Sequence, residues 1–347
     1  MQISSATILI CTYNRAPLLR ETLAAMQHMK KPENCAVDII IVDNNSTDNT
    51  AAVVKQAAHI TRFPITLLQE RRQGKSFALN TGLAAATGDV VALTDDDVLP
   101  AVEWIAKMVD DFRRERVNFV FGKVLPRWTA TPPAELLTPE AQAIWGPLAI
   151  VDYGDVPQHY RIDSKGQRLP IGANLGFLRS ALTTIGGWRT DLGKVDNTLI
   201  SGEDHEIFMR LRRHGMYAGY YDPAVSVRHY VPSSRVTRRY FRSWFYWNGK
   251  TRALMFDDLY PELNMALVPR VGGVPRFTCR EGMFQLFRYL RTRRGDPLVA
   301  FMEELKLLQF LGLFIQCWRL RHSIKQRTPQ IGAGLIAVAL IATVASF

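Results

Sequence analysis

Between Thr7 and about residue 100 the chain repeats one pattern: a short unbroken apolar run, a polar cluster, then apolar positions at helical spacing. Strands buried on both faces read as continuous apolar runs, and parallel neighbours need a crossover of a dozen or more residues. The repeat therefore restricts this stretch to an α/β fold, a mostly parallel sheet with right-handed crossovers and flanking helices. TILIC (Thr7–Cys11), VDIIIV (Val37–Val42), ITLLQ (Ile65–Gln69) and DVVAL (Asp89–Leu93) are the expected strands. Pro17 opens the first helix, where a missing N–H costs nothing, and Leu19, Leu23 and Met26 mark its inner face. DNNSTDNT, from Asp43, supplies capping residues to the second.

In open α/β sheets ligands bind outside the carboxyl ends of the strands. Thr12–Arg15, Asp43–Asp48, Gln73–Lys75 and Asp95–Asp97 each follow a strand, so they are expected on one rim. Any one cluster is ordinary turn chemistry, but three adjacent carboxylates after a buried strand repel one another unless something neutralises them. Asp95 and Asp97 form an Asp-x-Asp pair suited to a divalent cation, magnesium or manganese, that also bridges phosphate oxygens. A diphosphate ligand is implied. QGKS (Gln73–Ser76) is no P-loop, because the first glycine of that pattern falls at Gln69.

Residues 126–170, rich in Pro, Thr, Gly and Tyr, read as an irregular, lid-like excursion. Pro170–Trp188 reads as strand, helix and glycine turn. Gly202–Gly215 is a well-signalled helix with acids in its first turn, Ile207, Phe208 and Leu211 inward, and Gly215 as its stop. Tyr217–Arg228 suggests one or two strands ending at His229.

Charge divides the chain. Lys+Arg number 43 against 32 Asp+Glu, and residues 228–327 hold 19 of the basic and 7 of the acidic ones, leaving 24 against 25 elsewhere. The same third carries the aromatic Arg238–Lys250, the apolar Leu305–Trp318, and the uncharged Ile331–Phe347, just short of the roughly 20 residues that span a bilayer. Basic, aromatic and apolar residues together predict a helical region, 231–327, that associates with a membrane surface, and an anchor in 328–347. Burial of the apolar stretches as core helices is the alternative. Lys325 and Arg327 place the bulk of the chain at the cytoplasmic face, and the N-terminus lacks the charged start of a cleaved signal peptide. No helix-turn-helix or zinc-finger pattern accompanies the basic charge, so nucleic acid is not expected as a partner. Four scattered cysteines without a CxxC pair argue against a zinc module or a disulfide scaffold.

CTYNR (Cys11–Arg15), VDNNSTD (Val42–Asp48), QGKSFALNTGL (Gln73–Leu83), GDVVALTDDD (Gly88–Asp97), GANLGFLRSAL (Gly172–Leu182) with GGW after it, and GED (Gly202–Asp204) occur in that order. Together they resemble the inverting nucleotide-sugar glycosyltransferases of family 2, of the membrane-associated bacterial type, over Thr7 to about His229. The resemblance implies a GT-A fold across residues 1–230. It also implies Thr12, Tyr13, Asn14, Arg15 and Asp43 around the nucleoside, with Gly74, Lys75 and Asn80 nearby. Asp95 and Asp97 would hold the metal and the diphosphate, with Asp96 beside them. Asp204 would be the base, with Glu203 as its neighbour. His229 falls where some relatives supply a further metal contact, against the alternative of a structural histidine. The implied reaction is an in-line displacement at the anomeric carbon of a nucleotide-sugar, here a UDP-sugar, by a hydroxyl of a lipid-linked or polysaccharide acceptor. The insert at Pro126–Arg168 departs from the family pattern. A metal-dependent nucleotidyltransferase and a non-catalytic membrane scaffold are the competing readings.

Overall fold

In the computed structural model, which describes residues 1–162, 169–194, 198–260, 263–264 and 267–321, the four expected strands are present with their crossover helices. They run as β1 (Ser5–Thr12), α1 (Ala16–Met26), β2 (Ala36–Asp43), α2 (Thr50–Ile60), β3 (Ile65–Gln69), α3 (Lys75–Ala85) and β4 (Val90–Asp95). Next come β5 (Val98–Pro100), α4 (Trp104–Glu115), β6 (Phe119–Phe121), β7 (Val124–Trp128), β8 (Gln158–Arg161), β9 (Asn174–Leu178), α5 (Arg179–Ile185), α6 (Glu203–Arg213), β10 (Ala218–Tyr221) and β11 (Val227–Val231).

The main sheet has the order β3-β2-β1-β4-β9-β6-β10-β8. β1 to β4 are mutually parallel where they pair, β9 lies antiparallel between β4 and β6, and β8 closes the edge antiparallel to β10. β11 forms the centre of a small second sheet, parallel to β7 and antiparallel to β5. Alternation along β1 sends Ile8 and Ile10 into one core with Leu19, Leu23, Met26 and Val53, and Leu9 into the other with Leu79, Phe177 and Phe208. Each such side chain, withdrawn from water, contributes about 1.5–3 kcal/mol.

The stretch 126–170 is less irregular than its composition suggests. β7 runs through Pro126 to Trp128, Val151 bridges Val124, and β8 joins the main sheet. β8 escapes a pattern search because it is a short edge strand whose only buried residue is Tyr160. Residues 163–168 of this stretch lie outside the described residues.

α4 contributes a titrating contact to the fold. The Asp111 carboxyl, 1% exposed, accepts from Arg114 Nη2 at 2.7 Å. Burial and the neighbouring Asp222 carboxylate push it up to about 8. A raised carboxyl means the folded state holds a proton that the unfolded chain releases, so stability is lost as pH rises from about 4 to about 8. Asp111→Asn keeps the acceptor for Arg114 without titrating. The gap in Tm between pH 5 and pH 8 is expected to narrow in the variant, by about 2–4 °C per kcal/mol retained. Equal gaps in the two proteins would refute a protonated Asp111.

The chain divides into two units, Met1–Pro132 with Leu148–Asn197 and Glu203–Ser233, and Pro133–Pro147 with Thr198–Gly202 and Ser234–Phe347. The second unit holds α7 (Arg238–Leu254), α8 (Phe256–Leu259), a β12 (Arg270–Val271) and β13 (Val274–Pro275) hairpin, α9 (Arg276–Thr292) and α10 (Pro297–Leu320). The Thr237 hydroxyl caps α7 by accepting from Tyr240 N–H. α7 and α10 approach at two glycines: a side chain at Gly249 would collide with the Gln309 carbonyl, and one at Gly312 with that of Tyr246. Arg242 grips Glu304 through two hydrogen bonds across the same pair. Leu305–Trp318 thus lies in a helix that buries Leu305, Leu307, Leu311 and Leu313. Among the described residues no helix is long and apolar enough to cross a membrane. The expected anchor, 328–347, lies outside them.

Candidate active site

Parallel register aligns the strand ends: Thr12 of β1 stands opposite Asp43 of β2, and Cys11 opposite Asp95 of β4. The rim is then tied together by side chains. Thr12 Oγ1 donates to Asp96 Oδ2 at 2.8 Å, and Arg15 Nη1 bridges Asp96 Oδ1 at 3.1 Å and Asp97 Oδ2 at 2.8 Å. Asn14, at φ 51°, donates its N–H to Ser46 Oγ and accepts from Thr47 N–H, locking the first loop to the second. The buried Asp43 accepts from Ser46 N–H, and Asn44 accepts from Gly74 N–H at 2.8 Å, which sets Lys75 at the start of α3. Tyr13 is left exposed on this rim. Asn80 does not join the cluster, because both ends of its amide are bonded to the Trp188 backbone.

β5 and β11 supply the other wall. Their pairing places His229 opposite Val98, beside the carboxylates. Ligand atoms of Asp95, Asp97 and His229 all lie within 4.8 Å of one another. His229 Nε2 stands 3.5 Å from Asp97 Oδ1, a buried oxygen that accepts no hydrogen bond among the described residues. Such an oxygen is costly unless something else occupies its lone pairs. Two carboxylates and an imidazole fit a divalent cation of the magnesium or manganese type.

Lys75 organises the charges between the walls. Its Nζ is 3.1 Å from Asp95 Oδ1 and 3.8 Å from Glu203 Oε1. Burial opposes the ammonium form, but Asp95, Asp204 and Glu203 hold its pKa well above the usual lysine value. Burial alone would raise Asp95; the Lys75 charge reverses this and holds it at about 2. Burial, offset in part by Arg15, together with the Asp97 charge pushes Asp96 up to about 6. Burial and the charge of Asp204 push Glu203 to about 6 as well. The site thus mixes a fully ionised carboxylate with two that bind protons near neutrality.

α6 carries Glu203 and Asp204 in its first turn, where the helix N-terminus favours an anion. Its position is fixed from behind, since Arg210 clasps Glu206 and donates to the carbonyls of Ile185 and Gly187. Glu203 points inward, while the half-buried Asp204 accepts from Gly172 N–H at 2.8 Å through Oδ2. Asp204 Oδ1 and Glu203 Oε2 accept no hydrogen bond among the described residues. A Cβ at residue 172 would lie 2.8 Å from Asp204 Oδ1, so a larger residue there would displace the Asp204 carboxylate.

Two contributors escape the sequence pattern. Gly172 stands inside a quoted motif, but its role depends on α6 arriving from 32 residues away. Lys194 lies in a loop without a signature, yet its charge stabilises ionised Asp95 and Glu203, and its carbonyl accepts from Lys75 N–H.

A family model described as Glycosyl transferase family 2 matches residues 7–182, from β1 into α5. The chain is 24% identical over 306 residues to the succinoglycan biosynthesis protein ExoM of Rhizobium meliloti, covering 88% of this chain and 92% of that one. It is 24% identical over 260 residues to a glucosyl-dolichyl phosphate glucuronosyltransferase of Haloferax volcanii, covering 74% and 78% respectively. Among solved structures, a mannosyltransferase of Pyrobaculum calidifontis in complex with GDP-Man and Mn2+ superposes with a TM-score of 0.51 at 21% identity, over 100% of this chain and 80% of that one, a likeness of fold. With half of its length inside the family model and a GT-A type sheet built around that half, the chain belongs to glycosyltransferase family 2.

Proposed function

We propose that the protein transfers a sugar from a nucleoside diphosphate donor to an acceptor hydroxyl, with inversion at the anomeric carbon. The observation that carries this reading is the convergence on one rim of the Asp95, Asp97 and His229 cluster with Lys75 and the Glu203–Asp204 pair. The nucleoside lies against Thr12–Arg15 and Asp43. Asp95, Asp97 and His229 would hold a divalent cation, which would supply positive charge to the departing diphosphate. Lys75 keeps Asp95 ionised and ready to bind. Asp204, oriented by Gly172 N–H, takes the proton of the attacking hydroxyl. Glu203, buried beside Lys75, positions that lysine. Relatives named for succinoglycan biosynthesis and for a dolichyl phosphate substrate support a saccharide or lipid-linked acceptor, and the positive charge of residues 228–327 supports its presentation at the cytoplasmic face of a membrane.

The test is product analysis with a panel of UDP-, GDP- and dTDP-sugars, in manganese and in magnesium, with lipid-linked and oligosaccharide acceptors. Acceptor-dependent release of nucleoside diphosphate is the expected result, and a UDP-sugar is the expected donor. Release of pyrophosphate from a nucleoside triphosphate supplied with a sugar 1-phosphate, without acceptor-dependent release of nucleoside diphosphate, would instead assign a nucleotidyltransferase.

A further inference from the structure

α9 turns an apolar stripe outward. Phe284 and Phe287 are 62% and 65% exposed, and Met283 and Leu290 are 46% and 41% exposed. The opposite face is pinned: Gly282 abuts the Phe310 ring, Gln285 Nε2 donates to Glu303, and Arg288 pairs with Glu303 at 3.1 Å. The stripe is therefore a fixed feature of the second unit. Residues at i, i+3, i+4 and i+7 share a helix face, as Met283, Phe284, Phe287 and Leu290 do.

Charge along α9 is arranged by position. Arg276 and Arg280 precede the apolar four; Arg291, Arg293 and Arg294 follow them. Arg276, Arg280 and Arg291 are exposed and pair with no carboxylate among the described residues. Glu281 is the only acid between Arg276 and Arg294, and at about 100° per residue it lies away from the stripe. An apolar centre with cationic ends on a helix of about 25 Å matches the cross-section of a bilayer surface, acyl boundary beneath the phenylalanines and phosphates around the guanidinium groups. A second copy docked on the same stripe would bring arginine against arginine, which the charge opposes.

We propose that α9 lies in the plane of an anionic lipid surface, with Met283, Phe284, Phe287 and Leu290 buried among the acyl chains and Arg276, Arg280 and Arg291 on the headgroup phosphates. This docking does not rest on the sugar-transfer reading, and vesicle binding is scored without any donor.

Co-sedimentation of the full chain with phosphatidylcholine vesicles, with and without phosphatidylglycerol, tests it. Binding to the anionic vesicles is expected to exceed binding to the neutral ones by about tenfold or more. The double variant Phe284→Ser, Phe287→Ser is expected to lose that binding with its melting temperature and nucleotide affinity unchanged. Phe284→Leu, Phe287→Leu should restore it, and Arg280→Gln, Arg291→Gln should remove the preference for anionic lipid. Undiminished sedimentation of the serine variant would overturn the proposal and move the membrane contact elsewhere, residues 331–347 included. A dimer present without vesicles and abolished in the serine variant would overturn it in favour of a second copy. No sedimentation of the wild type would also overturn it.

Discussion

Asp204→Asn is expected to bind donor as the wild type does and to lose transfer by about 10²–10⁴-fold, the range that a positioned general base supplies. The substitution is close to isosteric. The amide oxygen still accepts from Gly172 N–H, the Gly172 contact stays open, and α6 keeps its Arg210 clasp. What disappears is the carboxylate charge and the proton-accepting capacity of Oδ1, which accepts no hydrogen bond among the described residues. The loss should therefore fall on kcat, with KM for the donor little changed. Glu203→Gln serves as the comparison. It removes the charge of a buried neighbour of Lys75 without touching the proton acceptor, and a smaller loss is expected. Wild-type kcat in Asp204→Asn would sink the assignment of the base.

Asp97→Ala is expected to abolish cation-dependent nucleotide binding. Loss of an outer-sphere partner already costs about 10–100-fold in metal affinity, so loss of a direct ligand from a three-residue cluster should exceed that. Calorimetric titration with UDP and GDP, each with and without manganese, reads the effect directly: wild type gains affinity with the ion, and the variant does not. Folding is expected to survive. Asp97 adds repulsion to the buried Asp96, and Arg15 retains Asp96 as its partner. Metal-stimulated binding that persists in the variant would remove Asp97 from the cluster.

The first four strands were legible because burial on both faces leaves an unbroken apolar run, and the polar rim because each run stops abruptly at a turn residue. The α6 signals were equally complete, from acids in the first turn to the glycine stop. Other parts were not legible, for identifiable reasons. β5 and β7 contain Pro100 and Pro126, which a sequence reader takes as strand breakers, and their tolerance here follows from their edge positions beside β11. The placement of His229 depends on that same sheet, so its proximity to Asp97 had no local signal. Asn80 stands in a quoted motif, yet its amide is directed at Trp188 and away from the rim. The antiparallel course of β9 was hidden too, since apolar NLGFL reads alike in either direction.

The insertion of β9 between β4 and β6 has a consequence for synthesis. Asn174 is made roughly 80 residues after Asp95, an interval of about 4–16 s at the usual pace of a ribosome. During that time Val90–Leu93 forms the open margin of a half-made sheet, with its backbone donors and acceptors waiting for a strand that does not yet exist. A neighbouring nascent chain in the same state offers a matching margin. The yield of soluble protein should therefore depend on how crowded the chains are while they are being made, in a way that the stability of the finished fold does not predict.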